Sequence, residues 1–414
     1  MPAFSRLLYA PAGGGWMLLL CSVSFAGCAQ GGAGPVPPGA ALGNTASGMA
    51  SRSEAAAGRR RSGASCPTIY SFQAAPDGTV PEAGLVDLRG TLYGTTSTGG
   101  TNGLGTVYSV STSGSESVLY SFKGTPDGST PYAGLIDVGG ALYGTTVHGG
   151  AHGAGSLFKI TKSGTVSIVY SFGTGLDGDE PGAGLIYVGG TFYGTTVGGG
   201  ATGNGTVYSV TPAGVEHVLY SFANGSDGAT PQAGLVALNG AFYGTTQNGG
   251  ANGQGTVFKV TKAGKEKVLH TFAGSDGAGP VAGLIAVSGT LYGTTPNGGS
   301  IGMDGTGTAF KITPSGQFAS LYSFGAVGDA ADPSAGLLDV GGTLYGTSAE
   351  GGVDGVGAVF SLTTSGAESV ICSWTGVPQG QVPMAGLIDV NGLLYGTTQG
   401  GGGASQGTVF AVAP

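Results

Sequence analysis

The hexapeptide Thr91-Leu92-Tyr93-Gly94-Thr95-Thr96 returns six more times along the chain, its tyrosine recurring as Tyr143, Tyr193, Tyr243, Tyr292, Tyr345 and Tyr395. Successive tyrosines lie 50, 50, 50, 49, 53 and 50 residues apart. A period of this length marks one supersecondary unit per repeat, stacked in an array or closed into a ring. Glycine supplies 89 of the 414 residues and proline 20. Without a period that composition reads as disorder. Here the glycines fall at fixed offsets between short apolar runs, so they read as turns.

Each unit holds four such runs. In the second unit they are residues 133–138 (AGLIDV), 141–146 (ALYGTT), 156–161 (SLFKIT) and 167–172 (SIVYSF). All are short, rich in β-branched and aromatic residues, and bounded by Gly, Asp, Asn or Pro, which is the strand signature. Gly139-Gly140, Asn239-Gly240 and Asn391-Gly392 suit tight hairpins between runs one and two. A Gly-rich loop joins runs two and three, and an Asp-Gly and a Pro lie between run four and the next run one. No apolar stripe of helical period follows residue 66.

Four antiparallel strands in about 50 residues, seven times over, is the arithmetic of an all-β, seven-bladed propeller. The chain ends agree. Residues 68–72 (TIYSF) match run four ahead of the first unit, and residues 407–412 (GTVFAV) match run three of a last unit that lacks its fourth. Pairing them closes the ring and removes two exposed edges. With run one innermost, both long loops of every blade emerge on one face, and the short hairpins on the other.

The order Tyr-Gly-Thr-Thr, Gly-Gly, Gly-Thr-Val-Phe, Leu-Tyr-Ser-Phe, Asp-Gly and Pro resembles the GloVer tandem repeat of bacterial surface proteins over residues 67–414, and kelch repeats more distantly. The resemblance implies a propeller at a cell surface. It carries no defined chemistry.

Ahead of the repeats, residues 1–28 read as a secretory signal, with Arg6 before an apolar run at 16–25 too short to span a bilayer. Phe25-Ala26-Gly27-Cys28 resembles a bacterial lipobox, with Phe where that pattern usually has Leu. It points to acylation of Cys28 and to the outer membrane or cell surface, or to a periplasmic or secreted protein if Cys28 carries no lipid. Residues 29–65, rich in Gly, Ala, Ser and Pro, read as a tether. The propeller is expected over residues 66–414.

From Pro67 onward nine basic residues face 21 acidic ones, a net charge of −12. That argues against nucleic acid, which needs a basic face. The membrane is expected to be met only through the lipid, and the chain to act as a monomer.

Among repeats, what recurs is scaffold and what breaks the pattern is the better site candidate. The seven motif tyrosines are read as blade-to-blade packing. The Asp-Gly aspartates are read as turn formers. The denser set Asp177, Asp179 and Glu180 is the candidate for calcium, which wants several oxygens at once. No other cofactor is expected. His148 and His152 share a loop but lack a third zinc ligand. Trp374 stands where other units have Phe, and with Asp304, Glu350 and Asp354 it forms the candidate ligand site, an aromatic beside carboxylates. Cys66 and Cys372 fall on different blades, which argues against a disulfide. No catalytic triad or phosphate loop stands out. The first reading is a non-catalytic surface propeller binding a glycan or a protein. The alternatives are a lyase or hydrolase of polysaccharide, using Glu350, Asp354 and a Lys or Tyr, and a purely structural surface protein.

Overall fold

A computed structural model of the chain describes residues 64–300 and 305–414. The seven units form seven four-stranded antiparallel blades in a ring, and among the described residues there is no helix. In blade two the strands are Ile136–Val138, Ala141–Thr146, Ser156–Ile160 and Val166–Ser171, ordered from the axis outward. The first strands of successive blades touch one another. Glycine permits that approach: a Cβ on Gly134 would stand 2.9 Å from the carbonyl oxygen of Gly84 in blade one. The ring closes as the chain ends require. Thr68–Ser71 pairs antiparallel with Thr408–Val412 and completes blade seven.

The recurring hexapeptide has a task for each residue. Its tyrosine packs on the next blade, as where Tyr143 meets Phe192 at 4.6 Å and Tyr193 meets Phe242 at 4.3 Å. Its glycine leaves room for the aromatic ring of the third strand: a Cβ at Gly144 would lie 2.8 Å from Phe158. The first threonine donates its hydroxyl hydrogen to an alanine carbonyl of the following blade in all seven units, from Thr95 to Ala133 (3.0 Å) round to Thr397 and Ala83 (3.3 Å). The second shares a buried hydroxyl contact with the third strand, as Thr146 does with Ser156 at 2.9 Å. A dry polar contact of this kind fixes geometry because neither partner has water to fall back on.

The aromatic residue that ends each fourth strand is equally repetitive. Phe122 meets Phe158 edge-on at 5.2 Å, Phe222 meets Phe258 at 5.1 Å, and Trp374 meets Phe410 at 4.9 Å. Two residues earlier a tyrosine bonds the Asp-Gly aspartate, Tyr70 to Asp77 and Tyr170 to Asp177 at 2.7 Å, Tyr120 to Asp127 at 2.8 Å, Tyr220 to Asp227 at 3.0 Å and Tyr322 to Asp329 at 2.9 Å. In blade four His270 takes the tyrosine's place against Asp276.

Blade six departs from this, and here the structure corrects the sequence reading. Its fourth strand has Cys372 at the tyrosine position, and Gln379 replaces the aspartate. Cys372 is bonded to Cys66, their Cα atoms 5.3 Å apart. The two cysteines do not belong to separate blades in space. Before entering blade seven, Ala64–Ser65 runs parallel to Cys372–Ser373 as a fifth strand of blade six. Ala64 and Ser65, read from sequence as tether, are thus paired into blade six. The signal, the rest of the tether and Cys28 lie outside the described residues.

Candidate functional site

The two long loops of each blade are zipped together. Gly78–Thr79 pairs with Thr98–Gly99, Gly178–Asp179 with Gly198–Gly199, Ala330–Ala331 with Glu350–Gly351, and Gly380–Gln381 with Gly400–Gly401. Single bridges do the same in the other blades, Ser129 with His148, Ala229 with Asn248 and Ala278 with Asn297. The loop face is thus a built surface.

After each ribbon comes a residue with positive φ: Val80, Thr130, Glu180, Thr230, Gly279, Asp332 or Val382. For a side-chain-bearing residue this conformation is costly. The surroundings hold it at both ends. Thr130 donates its N–H to Leu104 O at 2.9 Å in the preceding blade, and its carbonyl accepts the N–H of Val147 at 3.1 Å. Glu180, Thr230, Asp332 and Val382 repeat the arrangement.

The next residues read Pro-x-Ala-Gly-Leu in all seven units. Pro fixes φ, and the Ala carbonyl is the one held by threonine. Between them x never repeats. It is Glu82, Tyr132, Gly182, Gln232, Val281, Ser334 and Met384. The residue after the hexapeptide varies too: Ser97, Val147, Val197, Gln247, Pro296, Ala349 and Gln399. The two sets interleave. Gly182 lies between Val147 and Val197, with its Cβ position 3.7 and 4.0 Å from their methyl groups. Gln232 donates to Gln247 Oε1 at 2.8 Å, and Gln399 of blade seven donates to Glu82 Oε1 at 2.6 Å across the blade boundary. Fourteen varied positions, thirteen of them with a side chain, therefore ring the axis on the loop face on backbone of a common pattern.

Glu82 is the acidic member of this ring. Burial raises its pKa, partly offset by the hydrogen bond from Gln399. Its Oε2 is buried without a partner. Just outside the ring, burial raises Asp332, with Glu350 adding like charge.

The residues singled out from sequence do not converge. Trp374 is fully buried, and it fills the core slot that Phe fills elsewhere, so it cannot face a ligand from the loops. Glu350 and Asp354 are exposed on the loop face, Glu350 within its ribbon. Asp304 lies outside the described residues. Asp177 is buried and accepts from Tyr170, the Gly173 amide and Thr174. Asp179 is half-buried; its pKa is raised by burial and then by Glu180 and Asp177. Among the described residues no three His, Cys, Asp or Glu come together as a set able to hold a metal ion. The ring was legible as a single varied letter inside Pro-x-Ala-Gly-Leu, but not its closure around one axis.

Comparison with known proteins identifies the repeat. A family model described as the Gloeobacter/Verrucomicrobia repeat matches residues 37–251 and 233–414, and the chain belongs to that family. No curated protein matches it. Among solved structures it is similar to the BP39L lectin from Burkholderia pseudomallei, at 13% identity over 83% of this chain and 97% of that one, with a TM-score of 0.57. It is also similar to virginiamycin B lyase from Staphylococcus aureus, at 14% identity over 81% and 96%, TM-score 0.54. Such distant likeness speaks for the fold, which hosts both binding proteins and enzymes.

Proposed function

We propose that this member of the Gloeobacter/Verrucomicrobia repeat family is a non-catalytic binding module that takes a glycan or a protein on its loop face. The observation that carries the proposal is the ring of fourteen varied positions on a backbone frame of common pattern. Packing alone would tolerate seven like residues there, as it does at the flanking Pro, Ala, Gly and Leu. Side chains that differ from blade to blade on fixed supports suit recognition of an asymmetric partner. Among the fourteen ring positions Glu82 is the one carboxyl group, so the ring suits hydrogen bonding better than a paired acid and base.

One observation favours an enzyme instead. Glu368 and Asp329 line a cavity of about 280 Å³ with Tyr322, and burial together with Asp329 pushes Glu368 up to about 8. A carboxyl raised in this way suits acid–base work. The same association of tyrosine, aspartate and glutamate recurs at Tyr70, Asp77 and Glu116 and at Tyr220, Asp227 and Glu266, which favours a scaffold role.

The test is to incubate the full chain with a panel of polysaccharides and with surface-protein extracts, scoring retention and released reducing ends together. Retention without released ends, abolished by Gln399→Arg or by Gln232→Arg on the ring but not by Val215→Arg on the hairpin face, is the expected result. Released ends that vanish in Glu368→Gln would replace the binding module by the enzyme. Surface anchoring through an acylated Cys28 belongs to the same proposal, and the mass of the mature N-terminal peptide tests it.

A further inference from the structure

The ring is not uniform. From blade seven to blade two it carries Met384, Gln399, Glu82, Ser97 and Tyr132, whereas the next stretch is Val147, Gly182 and Val197. In the first arc Glu82 is wedged between neighbours, with Oε1 accepting from Gln399 Nε2 at 2.6 Å. Its Oε2 is buried and unpartnered. A buried acceptor without a donor is unfavourable, and a donor that reaches it as the side chain opens removes that cost. On either side stand apolar surfaces open to solvent, Tyr132 at 44% and Met384 at 36% exposure. Tyr132 and Glu82 hold the same position in adjacent blades. They precede by the same two residues Gly134 and Gly84, the pair in contact between the first strands of blades one and two.

A ligand for this arc must donate a hydrogen bond into a sunken carboxylate, exchange a further bond with the Gln399 amide, and lay an apolar face on tyrosine and methionine. A bare ammonium would meet the first demand and leave the rest idle. A pyranose ring meets all three, since its hydroxyls both donate and accept and its C–H face is apolar. The geometry points to a saccharide subsite formed by Glu82, Gln399, Tyr132 and Met384 at the axial end of blades seven, one and two. This deepens the loop-face reading and rests on it.

The experiment uses the full chain, with laminarin, xylan, galactomannan and chitosan as probes in affinity electrophoresis, and calorimetric titration with oligomers of whichever retards it. Melting curves confirm that each variant folds. The expected result is retardation by at least one polysaccharide, weakened about tenfold or more by Tyr132→Ala and by Glu82→Ala, with Val215→Ala on the hairpin face binding as the parent does. Binding untouched by both arc substitutions but lost in Val327→Arg would overturn the subsite and leave the loop-face reading standing. Binding lost only in Val215→Ala would overturn both. No retardation by any of the four, with polylysine bound through Glu82 instead, would overturn the saccharide assignment, as would no binding at all.

Discussion

Breaking the Cys66–Cys372 bond loosens the ring where its ends meet. The bond spans 306 residues, and the unfolded chain gains that loop's freedom when it is cut. The chain-entropy relation gives about 19 cal/mol/K for such a loop, or about 5.7 kcal/mol at 25 °C. Cross-links commonly deliver about 2–4 kcal/mol of the expected amount. Unfolding about 350 ordered residues carries an entropy of roughly 0.7 kcal/mol/K near 60 °C, so the loss corresponds to a fall in melting temperature of about 3–8 °C. Both cysteines are buried at 1% exposure or less, and Gln379 offers no substitute for the tyrosine–aspartate contact of the other blades. The assay is calorimetry on oxidised protein, on protein reduced under mild denaturant and refolded with its thiols blocked, and on Cys66→Ala/Cys372→Ala. The cross-linked form should melt highest and the other two should agree closely. If a thiol count shows complete reduction and the melting temperatures still coincide within about 1 °C, the chain-entropy reasoning is wrong for this ring.

Other perturbations reach other parts of the frame. Gly144→Ala places a methyl group 2.8 Å from Phe158 and Leu135; overpacking of this kind should cost about 1–3 kcal/mol by urea titration. Thr195→Val removes the hydroxyl that donates to Ala233 O at 2.9 Å and should cost about 1–3 kcal/mol, since a buried carbonyl is left unpaired. Burial, and then the facing aspartate of the neighbouring blade, push Glu116, Glu216 and Glu266 up to about 7 and Glu368 to about 8. Each folded pKa lies above the unfolded one, so the stability they contribute is complete below about pH 4.3 and is lost as pH rises through 7 to 8. Melting temperature should therefore fall between pH 5 and pH 8, and replacing all four by Gln should flatten that slope.

The architecture was readable because a β-strand has a short period and the repeat restates it seven times. Closure was readable because Thr68–Ser71 and Thr408–Val412 are complementary halves of one blade. The disulfide was not, since Ala64–Ser65 is two residues long and has no periodic signal to show that it borders blade six. Trp374 misled because an aromatic that breaks a repeat was read as exposed. Its alignment with Phe72, Phe122 and Phe324, all buried, carried the right answer. The Tyr–Asp contacts recur at a spacing of seven residues, visible in the sequence but shared with a turn signal strong enough to explain the aspartates without them. The axial ring depends on which blade follows which, and only the closed fold juxtaposes Gln399 with Glu82.

That juxtaposition makes neighbour order a property in its own right. Glu82 touches Gln399 of the blade before, while the threonine-to-alanine bond next to it is common to every blade. Exchanging blade one with blade three would keep that bond in kind and the side-chain inventory unchanged, yet would place a different residue beside Gln399. A lineage that duplicates, deletes or recombines units can in this way explore new partners by permutation, with no new residue invented and little stability at stake.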